Sequence, residues 1–531
     1  MANKNLFKSI LGKLLPKSDA VNEAGGVAYH TSSKHALAVY ASTGCLNNTY
    51  YASADEQLAK VVALCSKVDA GYIAKVALYA REKGYMKDLP ALLCAVLTTK
   101  GEAGARRLLD VFPRVIDSPK MLRNFVQIVR SGVTGRKSLG SLPKRLIKNW
   151  LESRGDTQLF TSSVGNDPSL ADVIKMVHPK PNTPARAALY GYLVGRDHDT
   201  DALPEIVKRF DAYKLSKDRT QIETPDVPFQ MLTSLELAEW EWKAIARHAP
   251  WQMTRMNLNT FERHRVFQDS ELVRIVADRL RNRELIGKAR VFPYQLMVAY
   301  MNCSASIPGQ VRDSLQDAME IAIDNVPVVN GKVFVFPDVS GSMQSAITGH
   351  RKGSTSAVRC VDVAALVAAA MVRKNPTAEV VPFESKAITP DQFRLNPRDS
   401  VMTNAQKLAS LPSGGTNCSA PLAYVNSVKA KGDLVVYVSD NESWVDTPMH
   451  GRFGGNATET MKQWSIFKQR NPQAKMICID IQPYATAQAK ERDDIINVAG
   501  FGDQVFSLIA AVAQGRAAKD YWVKQIEAMA L

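Results

Sequence analysis

The sequence predicts a multidomain protein, with an all-α first part followed by an α/β second part built on a doubly wound, largely parallel sheet. The chain has 531 residues, more than three times the ~150 residues of an ordinary domain. Residues 20–325 show the apolar spacing of helices, whereas after Pro327 short β-branched runs alternate with helical patterns. The change of rhythm places a boundary near residue 330 and predicts domains 1–330 and 331–531.

The first part is predicted to be a succession of helices, because apolar residues recur there every three or four positions. The predicted helices are Glu56–Ser66, Ala70–Lys83, Leu89–Thr98, Met121–Arg130, Leu142–Leu151, Leu235–Ala249 and Leu272–Arg283. No sustained strand pattern and no fixed-period repeat is visible, although helix–break–helix units recur. Such units build either a solenoid or ring with a large concave surface or an irregular helical globule, and both readings stay open.

The second part alternates strands and helices, which predicts a parallel sheet covered on both faces. The predicted strands are Lys332–Phe336, Glu379–Phe383, Asp433–Val438 and Lys475–Ile481. The predicted helices between them are Ala357–Arg373, Met402–Leu411, Ala420–Ala430 and Thr458–Gln469. A ligand site of such a sheet lies at the carboxyl ends of its strands.

The charge of the chain favours a polyanionic partner. The formal net charge is +15. The excess is +11 in residues 1–330 and +4 in residues 331–531. Nucleic acid is therefore a reasonable ligand of the first part, although many soluble proteins are moderately basic without binding it.

The cysteines and apolar runs point to a reducing compartment and no membrane. The 7 cysteines are scattered, and no two form a Cys-x-x-Cys pair, which argues against a disulfide framework or a cysteine zinc site. The longest apolar runs, such as Val363–Val372, are shorter than the ~18 residues of a membrane span. We therefore expect a cytoplasmic protein.

A candidate metal site follows the first predicted strand of the second part. Asp338, Ser340 and Ser342 form an Asp-x-Ser-x-Ser turn, Thr416 follows a Gly-Gly pair before a helix, and Asp440 follows the third strand. Because parallel strands end at one edge of a sheet, the three loops converge there. Carboxylate and hydroxyl oxygens suit Mg²⁺ or Mn²⁺ rather than zinc. The alternative is that these side chains only cap turns and helices and bind no metal.

The same residues argue against common catalytic classes. Two carboxylates leave an open position on the ion, which a carboxylate or phosphate oxygen of a ligand can fill. Neither Ser340 nor Ser342 lies in a Gly-x-Ser-x-Gly elbow with a paired general base, and no Gly-x-x-x-x-Gly-Lys-Ser/Thr phosphate loop is present. A hydrolase or nucleotidase is therefore not expected.

A basic patch lies in the first part. Between residues 118 and 154 the only acid is Glu152, against Lys120, Arg123, Arg130, Arg136, Lys137, Lys144, Arg145, Lys148 and Arg154. Lys144 and Lys148 share one helical face beside Arg145, and Arg136 and Lys137 occupy the preceding turn. A folded basic face suits RNA phosphates, which attract cations without sequence readout. A merely solvated face is the alternative.

The second part resembles a von Willebrand factor A domain with a metal-ion-dependent adhesion site. Asp338, Ser340 and Ser342 match its first loop, Thr416 its second and Asp440 its third. One departure is that Asn441 and Glu442 follow Asp440 where glycine is more usual. Glu442 offers a further carboxylate or a partner for a metal-bound water, but we expect it to lie around the ligands or in solvent.

Motifs along most of the chain resemble the Ro RNA-binding autoantigen family, which joins a TROVE module to a von Willebrand A domain. The motifs are Thr43–Tyr51, Pro228–Leu232 with Trp242, Ala249–Leu258, Arg290–Leu296, Phe336–Met343, Gly414–Thr416 and Ser439–Glu442. They extend from about residue 25 to 510. The length and divergence are typical of a bacterial member.

The resemblance implies a HEAT-like helical ring in residues 1–330, closed by the A domain. It implies that a small noncoding Y RNA binds the outer basic face and that single-stranded 3′ ends of misfolded RNA enter the ring. By position, the RNA-binding candidates are Arg136, Lys137, Lys144, Arg145, Lys148, His178 and Lys180. A divalent cation, a monomeric state and an exoribonuclease partner are further implications.

The sequence therefore predicts a noncatalytic RNA-binding protein of RNA quality control. The alternative from another class is a metal-dependent adhesion-type scaffold that holds an acidic side chain of a protein partner and binds no RNA. A third reading is a metal-dependent RNA-processing enzyme.

Overall fold

The predicted fold class is confirmed. The computed structural model describes residues 15–44, 46–165, 168–289, 293–324, 326–349, 358–444, 457–502 and 504–531. Within them a long helical region is followed by an α/β domain with a parallel sheet. Some positions of the predicted motifs and helices, namely Cys45, Arg290–Phe292 and Ala357, lie outside the described residues.

Two short strands, β1 (Ala20–Val21) and β2 (Val27–His30), precede the helical region. The described helices of that region, numbered α1 to α19 in chain order, are Ser33–Thr43, Ala54–Ser66, Ala70–Glu82, Asp88–Leu97, Gly101–Val115, Pro119–Ser131, Ser141–Glu152, Asp156–Thr161, Leu170–Val177, Pro184–Val194, Glu205–Leu215, Phe229–Leu232, Glu239–His248, Trp251–Met256, Leu258–Arg263, Ser270–Leu280, Arg283–Ala289, Pro293–Met301 and Gly309–Ala322. Each predicted helix of this part has a counterpart. The strands, however, were not predicted.

Local sequence signals explain where these helices begin. Ser53 and Glu56 form a capping box at the start of α2, and Ser118 caps α6 ahead of Pro119. The helix predicted from Leu235 starts four residues later, at Glu239, because the Glu241 carboxylate accepts a 2.6 Å hydrogen bond from the Ala238 amide and thus fixes the first turn there.

Cationic side chains tie successive helices together at a regular interval. Each donates to a carbonyl in the last turn or C-cap of a helix 33 to 38 residues earlier: Lys100 to Cys65, Arg136 to Thr98, Arg186 to Leu151 and Arg279 to Ala246. The last carbonyls of a helix have no intrahelical donor and carry partial negative charge, so cations stabilise them. The repeat is therefore present in the contacts, although the sequence shows no fixed period.

The described strands of the second part are β3 (Val333–Pro337), β4 (Glu379–Val380), β5 (Leu434–Ser439), β6 (Lys475–Asp480), β7 (Thr486–Ala487) and β8 (Ile495–Ala499). The described helices, α20 to α25, are Cys360–Lys374, Val401–Ala409, Ala420–Ser427, Glu459–Arg470, Gln504–Ala513 and Tyr521–Glu527. A five-stranded parallel sheet has the order β4-β3-β5-β6-β8. Its central strands are fully buried, as their β-branched and aromatic runs predict.

The predicted strands exist, with two differences. The predicted Glu379–Phe383 strand pairs regularly over only two residues, although the Val381 amide still bonds to the Val335 carbonyl at 2.9 Å. The strand β8 was not predicted, although its Ile-Ile-x-Val-Ala run is apolar and completely buried. The strand is short and follows several charged residues, so its apolar run was not recognised as a strand.

The two parts are joined at both ends of the helical region. At its start, β2 pairs antiparallel with β7, and α25 packs on α1 and α3. Trp522 of α25 is fully buried, and its indole N–H donates to the Tyr79 hydroxyl at 3.0 Å. At the other end, α18 contacts α20 and α19 contacts α21. The described helices between these ends pack on one another in two runs, α1 to α11 and α13 to α19, and the second part joins the outer ends of these runs.

A link between the two runs comes from side chains rather than from helix packing. The Tyr213 hydroxyl donates to the buried Glu241 carboxylate, which also pairs with Arg219 at 3.0 Å. These contacts connect α11 to α13 across the loop that contains the short helix α12. In the described ranges, no helix is both long enough and apolar enough to cross a membrane.

Candidate metal centre and basic surface

The first loop of the candidate metal site follows β3 and is held in place by its own backbone. Asp338 extends the sheet by one residue, since its amide bonds to the Val438 carbonyl at 3.0 Å. Its Oδ1 accepts the Ser340 amide at 2.8 Å, which turns the chain sharply. The Ser340 and Ser342 hydroxyl oxygens are then 3.3 Å apart. The turn thus puts one carboxylate and two hydroxyls at the carboxyl edge of the sheet.

The second and third loops are attached to the first. The Gly341 amide bonds to the Gly414 carbonyl at 2.8 Å, and the Trp444 amide bonds to the Thr416 carbonyl at 3.3 Å. Asp440 follows β5 and lies in electrostatic contact with Asp338 and within reach of the Ser342 hydroxyl. The structure thus brings the three predicted loops together.

The two carboxylates are buried without a basic partner. Asp338 is 0% exposed and Asp440 is 3% exposed. Burial, and then the nearby Asp440 carboxylate, raise the pKa of Asp338 to about 7. Burial also raises the pKa of Asp440. No Lys or Arg among the described residues compensates either group, so the site has excess negative charge that a cation would balance.

The residues present fit a hard divalent cation better than zinc. Nowhere in the described part of the chain do three or more His, Cys, Asp or Glu side chains converge as a metal-binding group. A cation here would therefore be held by two carboxylates together with hydroxyls. The hydroxyls of Ser340, Ser342 and Thr416 are all in nearly inaccessible positions. An all-oxygen set of this kind suits Mg²⁺ or Mn²⁺.

Sequence reasoning missed several residues around this site. The Ser439 hydroxyl donates to Asp338 Oδ2 at 2.6 Å, so both oxygens of that carboxylate are oriented. The Tyr51 hydroxyl lies within interaction range of Ser342 and of the Asp440 and Glu442 carboxylates. Ser439 directly precedes Asp440 and was open to prediction. Tyr51 is the last residue of the Thr43–Tyr51 motif in the distant helical part, and nothing in that motif indicates contact with the metal loops.

The third loop is covered by the turn between β1 and β2. The Glu442 side chain is fully buried, and its Oε2 accepts the Ala24 amide at 3.1 Å. The Asn22 side-chain amide donates to the Ser443 carbonyl at 2.7 Å. Gly26 lies so close to that carbonyl that a Cβ there would be 2.1 Å from the oxygen. The turn of residues 22–26 therefore packs tightly against the third metal loop.

The RNA-binding candidates lie on helix α7, in the loop before it and in the segment that follows α9. We call them the basic surface, defined as Arg136, Lys137, Lys144, Arg145, Lys148, His178 and Lys180. Helix α7 buries Leu146 and Trp150 as predicted, and the Trp150 indole N–H donates to the Ile116 carbonyl at 2.7 Å. Its opposite face exposes Lys144 and Arg145, with Lys148 half-buried.

The remaining candidates differ in environment. His178 is exposed and ends α9, which contacts α7, with a left-handed φ of 50°. Lys180 and Lys137 are exposed as well. Arg136 is different, because it is half-buried and its guanidinium donates to the Thr98 carbonyl at 2.9 Å. Arg136 therefore has a structural contact in addition to any contact with a ligand.

The parallel sheet and the three loops at its carboxyl edge define the second part as a von Willebrand A domain, here joined to a helical array. Comparison with known proteins gives a more particular similarity. Residues 332–513 match the family model described as "Ro60 vWA domain", which confirms the predicted resemblance to Ro proteins.

Two relatives match nearly the whole chain. The RNA-binding protein RO60 of Deinococcus radiodurans is 25% identical, and the alignment covers 96% of this chain and 99% of that protein. The crystal structure of the Deinococcus radiodurans RO (RSR) protein has a TM-score of 0.61 and 21% identity, covering 92% of this chain and 100% of that one. The similarity therefore includes the helical array as well as the A domain.

Proposed function

We propose that this protein binds small structured noncoding RNA through the basic surface. The observation that carries the proposal is that Lys137, Lys144 and Arg145 are exposed on neighbouring elements and make no ion pair with any described residue. Cations that are not neutralised by the protein are available to phosphates, and the release of counterions drives such binding. The relative named as an RNA-binding protein supports the same assignment.

The specific ligand that we propose is a Y RNA, with single-stranded 3′ ends of misfolded RNA entering the ring. Support comes from the two runs of helices that the A domain joins, since a closed array presents an outer and an inner surface. The proposed role is RNA quality control and stress response in the cytoplasm, as a monomer and with an exoribonuclease as a partner.

We propose further that the protein acts by binding rather than by catalysis, and that Mg²⁺ or Mn²⁺ occupies the A-domain site. Asp338, Ser340, Ser342, Thr416 and Asp440 would hold the ion, whose charge would offset that of the buried carboxylates. Both oxygens of Asp338 already accept hydrogen bonds, from the Ser340 amide and the Ser439 hydroxyl. Asp338 is thus oriented as a ligand rather than left free as a general base.

Crosslinking in cells, followed by purification of the protein and sequencing of the attached RNA, tests the main proposal. We expect enrichment of a small structured RNA over a control lacking the crosslink. Absence of enrichment, together with Mg²⁺-dependent capture of a protein without RNA, would establish the adhesion-type alternative. Loss of bound RNA over time with purified protein would instead establish an RNA-processing enzyme.

A further inference from the structure

The turn that follows α15 places a stacked pair of rings at the protein surface. The His264 imidazole stacks on the Trp242 indole of α13, with ring centroids 4.3 Å apart and an interplanar angle of 12°. Trp242 is only 5% exposed. His264 is half-buried although Trp242 covers one face of its ring, so its accessible surface lies at the edge and on the opposite face. The outer ring of the pair is therefore open to a ligand.

The His264 imidazole has no hydrogen-bonding role within the described part of the chain, since neither of its nitrogens bonds to a described residue. Partial burial, and then the nearby Arg263 guanidinium, lower the pKa of His264, so the ring is uncharged at neutral pH. Uncharged aromatic rings stack on other planar rings. The surface that His264 offers therefore matches a planar group of a ligand.

The backbone holds this turn in one conformation. His264 ends α15, and the next amide, that of Arg265, donates to the Glu262 carbonyl at 2.9 Å. Arg265 has a left-handed φ of 59°, which is uncommon for a residue other than glycine. Beyond it, Val266 and Phe267 are buried in the core. The imidazole is thus positioned before any ligand arrives.

Two arginines beside the ring carry charge that the protein does not neutralise. Arg263 and Arg265 are exposed and form no ion pair or side-chain hydrogen bond with a described residue. Other cations of the run α13 to α19 form ion pairs, namely Lys243–Glu239, Arg247–Glu271, Arg281–Asp278, Arg283–Asp324 and Lys288–Glu284. Arg263 and Arg265 are therefore available to phosphates on either side of a stacked base.

We propose that this turn binds single-stranded RNA, with one unpaired base stacked on His264 and the flanking phosphates bound by Arg263 and Arg265. The inference rests on the proposed RNA-binding function and gives the single-stranded ligand a site of its own, on a different run of helices from the basic surface. The bases within a duplex are already stacked on each other, whereas an unpaired base extends the Trp242–His264 pair. Such stacking requires no particular sequence.

Fluorescence anisotropy of the full-length protein with two labelled probes, an oligoadenylate and a blunt-ended RNA duplex, tests the stacking contact. We expect His264→Ala to weaken oligoadenylate binding at least about fivefold, as for the loss of one base–aromatic stack, and to change duplex affinity by less than about twofold. His264→Phe keeps an aromatic face and should restore the oligoadenylate affinity. The matched control, His248→Ala at an exposed position at the end of α13, should bind both probes as the wild type does.

The phosphate contacts are tested by replacing Arg263 and Arg265 together by Ala. We expect the slope of log affinity against log salt concentration to fall by about 1.4 for oligoadenylate, since each phosphate contact on a single strand contributes about 0.7. The control removes the same charge from two ion-paired arginines of this run, Arg247 and Arg281, and should change the slope less. An equal fall for both variants would show that the attraction is diffuse and would overturn the proposed phosphate contacts.

The two probes separate this inference from the proposed function. If the wild type binds neither probe, RNA binding itself is wrong. If the duplex binds while His264→Ala binds oligoadenylate as the wild type does, only the role of this turn is wrong.

A measurement on the wild type covers the case in which His264→Ala fails to fold. A single-stranded oligouridylate that carries iodinated uracil is crosslinked to the protein by ultraviolet light, and the crosslinked peptides are identified by mass spectrometry. A crosslink at His264 or Trp242 supports the inference. Crosslinks that all lie outside residues 239–268 would overturn it.

Discussion

The metal loops and the basic surface differ in where their polar and charged side chains find partners. The five predicted metal ligands are at most 4% exposed, and each lies in a network of backbone and hydroxyl contacts. Most members of the basic surface are exposed and make no such contacts. A buried polar group must find its partner in the fold, so its geometry is fixed before any ligand arrives. An exposed cation gains its partner only from the ligand.

The contact between the helical part and the A domain carries the largest predicted effect. Trp522 is fully buried on Tyr79 and His35, and it holds α25 on the first helices. We expect Trp522→Ala to cost about 3–5 kcal/mol of stability, as for other buried tryptophans. Calorimetric melting measures this, with Trp240→Ala at a 36% exposed position as the control. An equal melting temperature for both variants would show that α25 does not stabilise the contact between the helical part and the A domain.

The second prediction tests whether the metal site and the basic surface bind their ligands independently. Asp338→Ala should lower Mn²⁺ affinity by more than about 100-fold, since even residues around metal ligands cost 10–100-fold. Affinity for a structured RNA should stay within about twofold, because the basic surface belongs to other elements. Calorimetry with Mn²⁺ and a gel shift with RNA give both values, and Asp391→Ala is an exposed acidic control in the same domain. Collapse of RNA affinity along with metal loss would contradict the independence of the two regions.

The third prediction concerns the basic surface as a unit. Replacing Lys137, Lys144 and Lys148 together by Ala should weaken RNA binding about tenfold or more and reduce the salt slope by about three, one for each phosphate contact. Filter binding over a range of salt concentrations measures both quantities. The matched control replaces three exposed lysines of the second part, Lys431, Lys519 and Lys524. If the control loses as much affinity as the test variant, the attraction is diffuse and not confined to this surface.

The smallest effects distinguish two neighbours within the basic surface. Arg136→Ala should cost about 1–3 kcal/mol of stability, because the Thr98 carbonyl loses its donor. Lys137→Ala should change stability by less than about 0.5 kcal/mol, as exposed positions do, and should lower the salt slope by up to about one. Thermal melts and salt titrations of the two single variants show which residue supports the fold. Equal stability losses would remove the distinction.

The same contrast explains how far the sequence could predict the molecule. The strand-to-loop order placed Asp338, Thr416 and Asp440 at one sheet edge, because parallel strands end together. The turn of residues 22–26 and the strand β2 could not be predicted, since their partners, the third metal loop and β7, lie at the far end of the chain. Local periodicity carries no information about such contacts.

On the basic surface, the sequence predicted which side chains are exposed but not which have a structural role. The helical spacing of Leu146 and Trp150 correctly placed Lys144 on the outer face of α7. Arg136 was grouped with the other cations, although it bonds to a helix carbonyl 38 residues earlier. Charge is visible in a sequence, whereas the helix end that a cation stabilises is known only from packing.

The central claim is that RNA is bound by the helical part and the metal by the A domain. Ultraviolet crosslinking of a structured RNA to the full-length protein, followed by mass spectrometry of the crosslinked peptides, tests this claim most directly. We expect crosslinks concentrated between residues 130 and 185, around α7 and the end of α9. Crosslinks confined to residues 331–531 would contradict it.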